Sequence, residues 1–243
     1  MNRKFFGDTR DLFKLDLVCH IMKNLTDLDN FTFVPMLTEE EKGGQKKSVK
    51  RDLAIAVKNK KAGSKNMELI LHLARLQEID DDLEYFLGIR SLFKKENILI
   101  DIVHRHRFSQ KERQHYFNAL FENFPEKSLI FLDPDIGLEV RNPSRRHLLF
   151  EEVRKIHDCM DNTSIMMIYQ HIPRVVRSMY IRHRYEQLAE LTGSSPLSIT
   201  DNEIVFFLLC KNPDLKTKLG VVVGEYINHY PRLSTPGRNK TFL

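Results

Sequence analysis

The sequence has no apolar run approaching the roughly 20 residues that a membrane-spanning helix needs. Its opening stretch, Met1-Asn2-Arg3-Lys4-Phe5-Phe6-Gly7-Asp8, holds no apolar signal-peptide core and soon meets Arg10 and Asp11. No membrane association and a cytoplasmic location are the expectations. Cysteine is scarce: Cys19, Cys159 and Cys210 stand far apart, and no Cys-x-x-Cys occurs. That spacing argues against a zinc ribbon or a disulfide framework and leaves buried free thiols as the expectation. No internal repeat is visible, which argues against a solenoid. The charge excess is small, 38 Lys+Arg against 33 Asp+Glu. A net charge of +5 permits a polyanion partner without requiring one.

What is present suffices for a sizeable core: 243 residues, 42% of them hydrophobic. Leu12, Phe13, Leu15, Leu17, Val18, Ile21, Met22 and Leu25 recur at helical spacing behind a cap at Asp8 or Thr9. A strand over 31–37, ended by Pro35, follows. Thr38 to Lys47 is a polar loop whose Gly43-Gly44 could approach a phosphate or simply be solvated. Helical patterns over 52–57, 67–76 and 80–87 suggest a helical insertion, about 46–95, with a basic loop from Lys58 to Lys65. Strands are expected over 98–103, 129–132 and 164–171, with helices from Ser109 to about Phe124 and from Leu148 to Met160. His104 and His106, at i and i+2, can ligate a metal or form an exposed basic turn. A basic helix after Pro173 and strands over 197–200 and 204–210, split by Asp201-Asn202-Glu203, come next. Residues 214–230 read as a helix, although Val221-Val222-Val223 is also β-prone. The alternation gives an α/β domain over 1–230 with a mostly parallel sheet and a C-terminal antiparallel hairpin. Residues 231–243 form a basic tail, expected to be mobile or a docking arm.

Signals concentrate at Ser128-Leu-Ile-Phe-Leu-Asp-Pro-Asp-Ile-Gly-Leu-Glu139. A short apolar run ends at Asp133-Pro134-Asp135, because Pro134 lacks a ladder N–H and pushes Asp133 out of the helical region. Gly137 then permits a sharp turn. Carboxylates would sit at the C-terminal end of a central strand, the edge where open α/β sheets bind ligands. They could equally cap and solvate a turn. Tyr169-Gln170-His171 ends another buried strand before Pro173, and parallel neighbours would bring the two tips together. His171 could instead bond a nearby loop, and Lys14 could simply pair with Asp11 three residues before it.

The order of strands and helices, with its closing hairpin, resembles class I methyltransferase folds, and Asp133-Pro134-Asp135 resembles their Asp-Pro-Pro-Tyr-type motif. Gly7-Asp8-Thr9-Arg10-Asp11-Leu12-Phe13-Lys14 resembles the N-terminal helix of certain RNA adenine methyltransferases. With Tyr169 to Arg174, these segments also resemble an uncharacterised family of bacterial and phage proteins. The resemblance implies a three-layer Rossmann-like fold and a methyltransferase-like protein using S-adenosylmethionine on nucleic acid. It implies a reaction centre of Asp133, Pro134, Asp135, Tyr169 and His171. Gly7, Asp8, Asp11, Lys14 and Pro35 would border the cofactor, and Glu139, Arg141, Gln170 and Arg174 the substrate. Two departures stand out. The turn after the first strand, Pro35-Met36-Leu37-Thr38, has no glycine before Gly43, and no aromatic follows Asp135. A second reading makes Asp133, Asp135, Glu139 and His171 ligands for Mg²⁺ or Mn²⁺ in a nuclease or phosphodiesterase. A third is a non-catalytic binding module on the same fold.

Overall fold

A computed structural model describes residues 5–37, 52–103, 107, 109–122 and 124–236. The expectations for Thr38 to Lys47, including Gly43-Gly44, and for His104 and His106 lie outside the described residues.

The core is a six-stranded sheet in the order β2-β1-β3-β6-β8-β7. Its strands are β1 (Asn30–Val34), β2 (Leu99–Ile102), β3 (Ser128–Leu132), β6 (Ile165–His171), β7 (Leu197–Thr200) and β8 (Ile204–Leu209). The first four run parallel. β8 runs antiparallel to both β6 and β7, so the closing hairpin inserts its second strand between two parallel ones. β4 (Gly137–Leu138) and β5 (His147–Leu148) form a separate small parallel pair.

The central strands are mostly apolar because both faces are covered. Phe31, Phe33, Leu129, Phe131, Met167 and Phe206 face one layer. That layer holds α1 (Thr9–Asn24), α2 (Leu53–Lys58), α3 (Met67–Leu76), α4 (Asp82–Lys95) and α8 (Pro213–His229). Val34, Ile130, Leu132, Met166, Ile168 and Phe207 face the other, built from α5 (Arg113–Glu122), α6 (Phe150–Cys159) and α7 (Arg177–Thr192). The period of two along each strand thus sorts the side chains between two helical layers. This is a three-layer, Rossmann-like α/β architecture.

Several local expectations shift. The helix expected over 80–87 continues to Lys95, because Gly88 does not break it: a Cβ there would collide with Leu76, so α3 and α4 close together at this glycine. α4 is then the crossover between β1 and β2, and within the expected insertion only α2 and α3 are additional. Val221-Val222-Val223 is helical, since Asn212 caps α8 by accepting from the Asp214 and Leu215 amides at 2.8 and 3.4 Å. The start of the tail is docked rather than free, with Ser234 and Thr200 exchanging backbone hydrogen bonds of 3.0 Å. Cys19 and Cys210 are buried free thiols, but Cys159, at the end of α6, is exposed.

Candidate functional site

β2 and β3 flank β1 on opposite sides, so the chain changes direction across the sheet at β1. In open α/β sheets the crevice at the carboxyl ends of such strands is the usual ligand site. Here β3 ends in Asp133 beside Val34, whose carbonyl accepts from the Asp133 amide at 3.0 Å. Two residues beyond β1, Met36 adopts φ +39°, a backbone region that costs a non-glycine residue energy. The Tyr116 hydroxyl accepts its amide at 2.9 Å.

The first turn of α1 lies over this edge. Gly7 has φ +73°, and a Cβ there would stand 2.9 Å from both the Leu73 carbonyl oxygen and Gln77 Cγ. Its amide donates to Asp11 Oδ2 at 2.8 Å, and its carbonyl accepts from Gln77 at 2.8 Å. Asp8 caps the helix, Oδ1 accepting from the Arg10 and Asp11 amides at 2.7 and 3.3 Å. Asp11 also accepts from the Tyr85 hydroxyl at 2.7 Å.

Lys14 ties the helix to the sheet. Its Nζ donates to Asp133 Oδ2 at 2.9 Å and to Asp11 Oδ1 at 3.2 Å, and lies 4.4 Å from the centre of the Tyr169 ring. Asp133 is fully buried. Burial works against the Lys14 ammonium, but Asp133 and Asp11 more than offset it, so its pKa rises above the usual lysine value. Burial pushes the Asp133 carboxyl up, and Lys14 pulls it only part of the way back. Burial likewise pushes the Tyr169 phenol up to about 12. The result is one buried ammonium shared by two carboxylates, with the phenol neutral.

Around this group lies a cavity of about 280 Å³. Asp8, Asp11, Lys14, Asp133, Pro134, Asp135, Tyr169 and His171 line it, as do Arg10 and Arg146. The tips of β3 and β6 therefore converge on one pocket, as parallel strands require. Asp135 is held by Arg146, Nε donating to Oδ2 at 2.5 Å.

The other proposed residues lie elsewhere. Gln170 faces the opposite layer, since side chains alternate along β6. Its Oε1 accepts from the Leu138 amide at 2.8 Å, and its Nε2 donates to the His171 carbonyl at 2.7 Å and the Tyr180 hydroxyl at 2.9 Å. Gly137, at φ +125°, leaves room for that amide, which a Cβ would strike. Glu139 and Arg141 line a neighbouring depression with His183. Glu139 is committed to α6, accepting from the Phe150 amide at 3.0 Å. Arg174 is exposed beyond the rim, and Pro35 is buried behind the tip of β1. Of the four proposed metal ligands, Asp133, Asp135 and His171 thus line one pocket and Glu139 lies outside it. No group of three or more His, Cys, Asp or Glu side chains among the described residues is arranged to hold a metal ion.

Two features escaped sequence reading. Arg10 lines the pocket although it sits in the first turn of a helix, where the dipole disfavours a cation; that misplacement was the available signal. Arg113 is buried in the opposite layer, donating to Glu152 at 2.5 and 2.6 Å and to the Arg145 and His147 carbonyls at 3.2 and 2.6 Å. It fixes the basic loop beside the site, and no local pattern marks it. A larger cavity of about 800 Å³ lies between α7 and α8 beside β7, against Ile181, Tyr185, Leu197, Val223 and Ile227. Its mainly apolar lining is remote from the ionisable cluster, so chemistry is assigned to the smaller pocket. No helix among the described residues is long and apolar enough to cross a membrane. No family model and no curated protein matches the chain.

Proposed function

We propose that this chain is a methyltransferase-like protein that holds S-adenosylmethionine at the carboxyl edge between β1 and β3 and acts on nucleic acid. The observation that carries the reading is Asp133-Pro134 leaving β3 where the strand order reverses, beneath a helix tied to it by Lys14. The hairpin with its second strand inserted antiparallel supports the same resemblance. The pocket fits part of the cofactor. At about 280 Å³ it lies just below the roughly 300–1,000 Å³ typical of small-molecule sites. Its mixture of carboxylates and cations suits a zwitterionic amino-acid end. Asp8, Asp11 and Lys14 would border that end, and the bound cofactor would supply an electrophilic methyl group.

The protein's own part is positioning, worth as much as about 7–11 kcal/mol of barrier in favourable cases. Asp133 accepts a hydrogen bond from the target amino group, and Lys14 favours the anion that accepts it. Pro134 holds the neighbouring carbonyl in a fixed direction. Arg174, exposed beyond the rim, and Arg141, exposed in the neighbouring depression, are available to phosphates. A thermal-shift titration tests this. Ligand at 100 times Kd stabilises by about 2.7 kcal/mol, a rise of roughly 5–10 °C for a chain of this size. S-adenosylmethionine or its demethylated product should produce it, and silence from both removes the reading.

One observation favours a second reading, a non-catalytic binding module. Asp133 is fully buried and the Tyr169 ring is covered by Lys14, so neither is presented to a base without movement. Binding of the cofactor without methyl transfer to any DNA or RNA tested would select it.

A further inference from the structure

The pocket holds three cations among its described Arg and Lys residues, and two of them are spoken for. Lys14 is shared by Asp11 and Asp133, and Arg146 is paired with Asp135. Among the described residues Arg10 forms no ion pair. Its Nη1 donates to the Tyr169 hydroxyl only at 3.4 Å, the long limit of a hydrogen bond, and its Nε is buried with no partner. A buried guanidinium donor left unmet is costly, and a planar fork of donors matches a carboxylate or phosphate. The pocket's carboxylates do not satisfy it. Asp11 is spent on Gly7, Tyr85 and Lys14, Asp133 on Lys14 and Asp135 on Arg146. Asp8 turns Oδ1 to the first amides of α1, where the helix dipole is positive.

We propose that Arg10 is the oxyanion anchor of this pocket, binding a carboxylate or phosphate oxygen of the ligand through donors that the protein leaves unused. The inference shares the pocket of the methyltransferase-like reading but does not require its chemistry.

The test is isothermal titration of the full chain and its Arg10→Leu and Arg10→Lys variants. The probes are S-adenosylhomocysteine, 5′-methylthioadenosine (which lacks the amino-acid end), AMP and inorganic phosphate. At least one probe bearing a carboxylate or phosphate should bind the wild type and bind Arg10→Leu at least tenfold more weakly. Arg10→Lys should recover only part of that loss, because it keeps the charge without the fork. Arg10→Leu should melt no lower than the wild type, since little is removed but an unmet donor. The proposal is overturned if no anionic probe binds the wild type. Equal affinity for wild type and Arg10→Leu overturns it too, as does a large drop in melting temperature on that substitution. S-adenosylhomocysteine binding both proteins alike would sink Arg10 and leave the methyltransferase-like reading standing. Phosphate or AMP binding that depends on Arg10, with no response to S-adenosylhomocysteine, would do the reverse.

Discussion

Replacing Lys14 by methionine removes a cation held between two buried carboxylates and keeps most of the side-chain volume. At 2.9 Å, and with an effective dielectric constant of about 20, the Lys14–Asp133 attraction is about 6 kcal/mol before desolvation. Truncating one partner of a buried pair typically costs about 3–5 kcal/mol, because the other charge stays behind. The loss should depend on pH. In the wild type the raised Lys14 pKa contributes stability that is fully present below about 10.4, the unfolded value, and is lost only as pH rises through the still higher folded value. It is therefore constant between pH 5 and 8. Asp133 is already pushed up by burial, and without Lys14 it moves further up. A carboxyl whose folded pKa lies above its unfolded one destabilises the fold as pH rises and stops doing so once protonated. The deficit of Lys14→Met should thus be greatest near pH 8 and shrink toward pH 5. Urea unfolding followed by circular dichroism at both pH values measures this, with an unchanged m-value as the control. A pH-independent deficit below about 1 kcal/mol would refute the shared ammonium.

Other substitutions probe the scaffold of the site. Gly7→Ala should destabilise by about 1–2 kcal/mol, because φ is +73° and the new Cβ meets Leu73 and Gln77; thermal unfolding reads it. Gln170→Ala should cost about 1–3 kcal/mol by orphaning the Leu138 amide, with faster amide exchange at Leu138 as the local signature. Arg113→Met should cost about 2–4 kcal/mol by leaving the half-buried Glu152 without its partner and the His147 carbonyl without its donor, and proteolysis near residues 143–147 should accelerate. A deficit below about 0.5 kcal/mol in any of these would contradict the role assigned.

Much of this architecture was legible in the sequence. The runs at Phe31, Leu129, Ile165 and Ile204 read as strands, those at Leu129 and Ile165 as buried ones, and proline marked where Asp133 and His171 leave the sheet. Two tips on parallel neighbours then had to meet. Gln170 was not legible, because one residue of strand period decides which layer a side chain enters, and adjacency to His171 hid that. Glu139 resembled a ligand until its amide partner, Phe150, set it as a support for α6. Arg113 and Arg10 depend on partners 39 and 159 residues away, beyond any local pattern.

The most direct measurement is a crystal structure of the chain grown with S-adenosylhomocysteine. The ligand should lie at the carboxyl edge between β1 and β3, its amino-acid end against the first turn of α1 and within reach of Lys14 and Asp133. A ligand seated instead between α7 and α8, or none at saturating concentration, would contradict the assignment of this pocket.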